Sequence, residues 1–167
     1  MTEVDDKNNF LTLEDTIDFI KIDPIPLPID KEFHIFISYK TIEPDCLPAR
    51  NIDKMLRSKG FRCCLHERDF IPGNTIMNNI VQNIKRSVKV VFLLSENSKA
   101  SNWCQIELNV TEILNIEEGG YKPIILKLDE CDVPDSMKIY TYLSADSSLE
   151  KWIGRLSKAI NDQTDET

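Results

Sequence analysis

The chain has 167 residues, 41% of them hydrophobic, which fits one domain with an ordinary buried core and excludes a chain disordered throughout. Twenty-eight acidic against 20 basic residues leave a net charge of −8, which argues against binding along a phosphate backbone or on an anionic membrane surface. The five cysteines are odd in number and form no CxxC pair or Cys/His cluster, so they predict reduced thiols in a cytosolic protein rather than a structural zinc site.

Residues 1–9 are polar and acidic, with no apolar segment of a secretory signal, and no run in the chain approaches the length of a membrane span. From Thr12 to Ile22, Leu13, Ile17 and Ile20 recur at helical spacing behind Thr12 as N-cap. Pro24, Pro26 and Pro28 then forbid helix and sheet interior alike and predict an extended connector. Residues 1–30 are thus expected to be a flexible linker. The alternative is a docking peptide in which Ile25, Leu27 and Ile29 alternate along one edge. A domain is expected over 31–160, with a disordered tail over 161–167.

Phe33 to Ser38 is a near-continuous apolar run, the pattern of a strand buried on both faces. A helix follows, opened by Pro48 and stopped by Gly60, with Ile52, Met55 and Leu56 inward. Phe61 to Leu65 is the second strand, and it directs Cys63 and Cys64 to opposite faces. Thr75 to Arg86 predicts a helix with Ile76, Ile80 and Ile84 inward and its asparagines on the wet side. Val88 to Ser95 is β-branched and apolar and is expected at the sheet centre. A helix from Asn102 to about Glu118 carries Trp103, Ile106, Val110, Ile113 and Leu114 as its stripe, ended by Gly119-Gly120. Pro123 to Leu128 is a fourth strand, Ile139 to Tyr142 a short fifth, and Ser148 to Ile160 the last helix.

Strand–helix alternation of this kind predicts an α/β fold with three layers. For five units of this size the expected form is flavodoxin-like: a central five-stranded parallel sheet of order 2-1-3-4-5 flanked by helices. Its switch point lies between the first and third strands, where a ligand crevice forms beyond their carboxyl ends. Ser38, Tyr39 and Lys40 would line one side of it and Ser95 to Glu107 the other. Between the second strand and the next helix lies Arg68-Asp69-Phe70-Ile71-Pro72-Gly73. Pro72-Gly73 predicts a tight turn, which puts Phe70 and Ile71 near a loop tip. Two arrangements are open there: the apolar pair folds back under its own loop, or it protrudes as a contact for another protein.

Taken together these segments resemble the TIR domain, the Toll/interleukin-1-receptor homology module. Phe33 to Tyr39 is similar to its first box and Arg68 to Gly73 to its second, in the BB loop. Lys151-Trp152 resembles its third box, with the first of the two usual aromatics absent. Leu94 to Asn97 and Ser101 to Leu108 are similar to its LSxN and SxWCxxEL segments. The match covers about residues 31–160, its motif order is specific, and its wording is most similar to that of animal Toll-like receptors.

The resemblance implies two functions. The first is innate-immune signalling by association with other TIR domains, self and adaptor, through Arg68, Asp69, Phe70, Ile71, Pro72 and Gly73, in a weak homodimer or higher assembly. Phe70 and Ile71 would then be apolar anchors, and Arg68 and Asp69 would supply charge selectivity. The second is NAD nucleosidase activity, with NAD as substrate, no resident cofactor and no metal. Glu107 aligns with the essential glutamate of the enzymatic members, where a carboxylate stabilises positive charge on the ribose. Ser38, Tyr39, Lys40 and Trp103 are the expected NAD contacts; Lys40 stands where enzymatic members often have arginine. A glutamate near a helix N-terminus is favourable on its own account, and scaffold members carry it too.

Overall fold

The computed structural model describes residues 23–39, 46–96, 102–119, 123–145 and 149–163. Five strands pair in parallel as one sheet of order β2-β1-β3-β4-β5: β1 Phe33–Ser38, β2 Cys63–Cys64, β3 Ser87–Leu94, β4 Pro123–Lys127 and β5 Tyr142–Ser144. This is the expected flavodoxin-like order. The longest and most β-branched run, β3, lies at the centre, and the two edges are strands of two and three residues.

The connections are α1 Cys46–Ser58, a single turn α2 His66–Asp69, α3 Ile76–Lys85, α4 Asn102–Glu118 and α5 Leu149–Asn161. Alternation along the strands divides the core in two. Ile35, Ile37, Tyr39, Cys63, Val91 and Leu126 pack with α1 and α5 on one face. Phe36, Cys64, Val90, Phe92 and Ile125 pack with α3 and α4 on the other. Cys63 and Cys64 therefore enter opposite cores, as the pleat requires.

Several expectations are corrected. The fifth strand lies three residues later than predicted. Ile139 is exposed, whereas Leu143 is buried and pairs in register with Leu126. Strand β2 keeps only Cys63 and Cys64 of the expected five residues. In α4, Ile106, Val110 and Leu114 pack against the core as expected, but Leu108, Thr111 and Glu107 are buried beside them and Ile113 faces solvent. In α3, Ile80 and Ile84 are buried but Ile76 is exposed, and Asn79 and Asn83 lie inside rather than on the wet side.

The expected boundary at residue 31 falls within a hydrogen-bonded stretch. The Ile25 N–H donates to Asn161 Oδ1 at 3.1 Å, Asn161 Nδ2 donates to the Asp23 carbonyl at 2.8 Å, and the Ile25 carbonyl lies 2.7 Å from His34 Nε2. The helix expected over Thr12 to Ile22 and the end of the tail lie outside the described residues.

Candidate functional site

The segment between β2 and α3 is set by its charged residues first. Arg68 donates to Asp53 Oδ2 at 3.0 Å, to Asp69 Oδ2 at 3.0 Å and to the Cys63 carbonyl at 2.5 Å. Burial alone lowers the Arg68 guanidinium, but the bonds to Asp69 and Asp53 outweigh it and hold its pKa above the ordinary value. Asp69 also accepts from the Leu65 N–H at 2.8 Å, closing the single turn α2. Arg68 and Asp69 thus brace the base of the loop. A second brace, the two-pronged Arg50–Glu67 pair at 2.7 and 2.8 Å, ties α2 to α1.

The apolar pair beyond them is split. Phe70 turns back, packing edge-on to His66 at 4.2 Å between ring centres and reaching Phe36 of the core at 6.1 Å. Ile71 turns outward and is 52% exposed, followed by exposed Pro72 and by Gly73 at φ 91°. That positive φ is one glycine adopts without strain. Phe70 thus folds back under its own loop, while Ile71 stands clear of it.

The backbone of Ile71 is clamped by Asn79 on α3. Its N–H donates to Asn79 Oδ1 at 2.9 Å, and Asn79 Nδ2 donates to its carbonyl at 3.1 Å. Asn83 Nδ2 in turn donates to the Asn79 carbonyl at 2.8 Å, and Ser87 Oγ to the Asn83 carbonyl at 2.7 Å. Thr75 caps α3 by accepting from the Asn78 N–H at 3.1 Å. Asn79 was not singled out from sequence. Its signal was the spacing Asn79, Asn83, Ser87, one polar residue every four beside Ile80 and Ile84.

At the switch point the expected residues separate. Ser38 shares a sheet face with Phe36 and Phe92, the face that α4 covers with Glu107 and Leu108. Glu107 is 1% exposed, and its backbone carbonyl accepts from Thr111 Oγ1 at 2.7 Å. Tyr39 points to the opposite face, 4% exposed, its hydroxyl 3.4 Å from the Glu67 N–H. The structure therefore brings Ser38 and Glu107 to one side and leaves Tyr39 on the other. Lys40 and the Trp103 side chain lie outside the described residues. Among the described residues, no His, Cys, Asp and Glu group could hold a metal ion and no helix is long and apolar enough to cross a membrane.

A family model described as TIR domain matches residues 35–157. The chain is 33% identical over 135 residues to Toll-like receptor 1 of Homo sapiens, covering 76% of this chain and 16% of that receptor. It is 34% identical over 131 residues to Toll-like receptor 6 of Bos taurus, again 16% of the receptor, so the chain spans about a sixth of the curated relatives it matches. Among solved structures, the TIR domain of a Toll-related receptor from Hydra magnipapillata superposes with a TM-score of 0.64 at 22% identity. That match covers 78% of this chain and all of that one. A metazoan TIR-STING receptor from C. gigas superposes with a TM-score of 0.66 at 24% identity, over 84% of this chain and 44% of that one. These two likenesses bear on the fold.

Proposed function

The chain belongs to the TIR domain family, and from that premise we propose that it is an innate-immune-type signal transduction module of the cytoplasm. It acts by homotypic association with other TIR domains, and it recruits adaptors through the BB loop. One observation carries this reading. Ile71 stands exposed at the loop tip while Phe70 on one side and the Asn79 clamp on the other hold the backbone beneath it. Ile76 and Met77, in the first turn of α3, are exposed as well. An apolar anchor held rigid before binding loses little conformational freedom on contact, which favours association. Arg68 and Asp69 contribute by bracing the loop. Weak dimers or higher assemblies are the proposed form.

The test is Pro72→His, with self-association followed by sedimentation across a concentration series. Association weakens about tenfold or more, equivalent to about 1.4 kcal/mol, while unfolding shifts by no more than about 0.5 kcal/mol. Unaltered assembly removes the BB loop from the interface.

A second reading is cleavage of NAD at the nicotinamide–ribose bond, with Glu107 as the catalytic glutamate. It is supported by the placement of that carboxyl on the Ser38 side of the sheet, behind the carboxyl end of β1. At 1% exposure Glu107 meets a ribose only when the packing over it opens. Turnover is accordingly proposed to depend on assembly.

A further inference from the structure

Strand β2 ends the sheet, and a pocket of about 320 Å³ lies at its free edge. Three guanidiniums line it: Arg57 from the last turn of α1, Arg62 immediately before β2, and Arg68 from α2. One carboxylate, Asp69, lines it with them. This basic cluster stands in a chain whose net charge is −8.

The nearby acids are already engaged. Both Asp53 oxygens accept from Arg68, at 3.0 and 3.3 Å, and Asp69 accepts from Arg68 and from the Leu65 N–H. Arg57 reaches Asp53 only at 3.7 Å, too long for a hydrogen bond, and its side chain is 58% exposed. Among the described residues the Arg62 guanidinium has neither an ion pair nor a hydrogen bond, and the residue is exposed. Arg57 and Arg62 are therefore open to a negative charge from outside, while Arg68 is spent on the fold.

The backbone adds a donor. Cys63 is the register partner of Ile35, whose N–H is bonded to the Arg62 carbonyl. In a parallel ladder this turns the N–H and carbonyl of Cys63 away from β1, toward the free edge. Arg68 takes the carbonyl, and the N–H points out beside it where Cys63 lines the pocket.

Two forked guanidiniums and a backbone N–H around one opening are the donor set that suits a phosphate, whose several oxygens accept from planar forks. The acidic balance of the whole chain disfavours an anionic bilayer as the source. A free strand edge, by contrast, suits an extended peptide, which can pair along it.

We propose that the pocket at the free edge of β2 binds a phosphate monoester carried on an extended segment of a partner protein, held by Arg57, Arg62 and the Cys63 N–H. The site is separate from the loop tip at Ile71, and its loss leaves association through that loop in place.

The experiment is titration of the full chain with a glycine–serine peptide bearing one phosphoserine, followed by NMR of the backbone amides and arginine side chains. Saturable shifts are expected at the Cys63 amide and at the Arg57 and Arg62 Nε–H groups, and none with the unphosphorylated peptide. Arg62→Gln weakens binding about tenfold or more, as loss of a charged hydrogen bond does, and leaves the urea midpoint in place. Arg57→Gln weakens it as well. Shifts that do not saturate, that both peptides produce, or that Arg62→Gln leaves unchanged overturn the proposal. Inorganic phosphate bound as tightly as the phosphopeptide also overturns it, as an adventitious ion only. Binding to phosphatidylcholine vesicles doped with phosphatidylinositol phosphate, without binding to the peptide, overturns the protein source and assigns the pocket to a lipid headgroup.

Discussion

Asn79 pairs with both backbone polar groups of Ile71, as a neighbouring strand would, although it is a side chain on a helix. The partly buried Ile71 peptide groups therefore have partners without a sheet, and the loop geometry depends on one amide. Asn79→Ala should cost about 1–3 kcal/mol by leaving two polar groups unmatched. Amide hydrogen exchange at Ile71 should accelerate beyond that global loss, and self-association should weaken with it. Asn79→Asp keeps the acceptor and loses the donor, so its effect should be intermediate. Hydrogen exchange and urea unfolding on the three proteins check this.

Arg68 is tied to the fold through Asp53, whose side chain is 7% exposed. Removing the guanidinium leaves that carboxylate with Arg57, 3.7 Å away and largely exposed, as its remaining ion-pair partner among the described residues. Arg68→Ala should destabilise by about 1–3 kcal/mol, more than an exposed pair and less than the roughly 3–5 kcal/mol that breaking a fully buried pair costs, because the pair is partly wet. Arg68→Lys should recover little, since one ammonium cannot span Asp53, Asp69 and the Cys63 carbonyl together. Chemical unfolding measures both. Association that falls without any loss of stability would show that Arg68 meets the partner instead.

His34 makes the stability of the fold pH-sensitive. The Arg62 N–H donates to Nδ1 at 2.9 Å, so the ring proton sits on Nε2 and is shared with the Ile25 carbonyl. Burial lowers the pKa below 6.5, the Ile25 bond opposes this, and Arg62 adds to the lowering. The unfolded chain therefore binds more protons just below pH 6.5, and stability falls as pH falls through that window. His66 shifts in the same direction through burial, opposed by Glu67. Urea midpoints at about pH 7.5 and about pH 5.5 should differ less in His34→Gln than in the parent. An identical pH dependence would assign the effect to other groups.

Glu107→Ala separates the two proposed activities. If NAD is cleaved, turnover should rise with protein concentration and vanish in the variant, while association persists. Equal turnover in the variant removes Glu107 from the mechanism. No turnover at any concentration, with association intact, leaves association as the function.

Sheet order, helix order and the two-sided core were legible because apolar runs and their punctuation report burial directly. Strand β5 was placed too early because Ile139 and Tyr140 looked like strand residues, whereas Ile139 is exposed and the strand that pairs with β4 is centred on buried Leu143. In α4, hydrophobicity predicted Ile113 inward, yet Glu107 and Thr111 occupy inward positions, and a polar inward residue is invisible to an apolar count. The same blindness hid Asn79. In the loop, Arg68 read as surface charge because its partner Asp53 lies a helix earlier in the sequence, and only the fold unites them.

The bonds between Asp23, Ile25 and Asn161 join the entrance of the domain to its exit. Whatever precedes residue 23 and follows residue 161 must leave from nearly one point. Tension applied through both flanks would load these few bonds first, opening them one after another like a zip before any strand is pulled. Joining the two ends by a short peptide and cutting the chain elsewhere should therefore leave the sheet undisturbed, and the unit could sit within a longer polypeptide as a side branch.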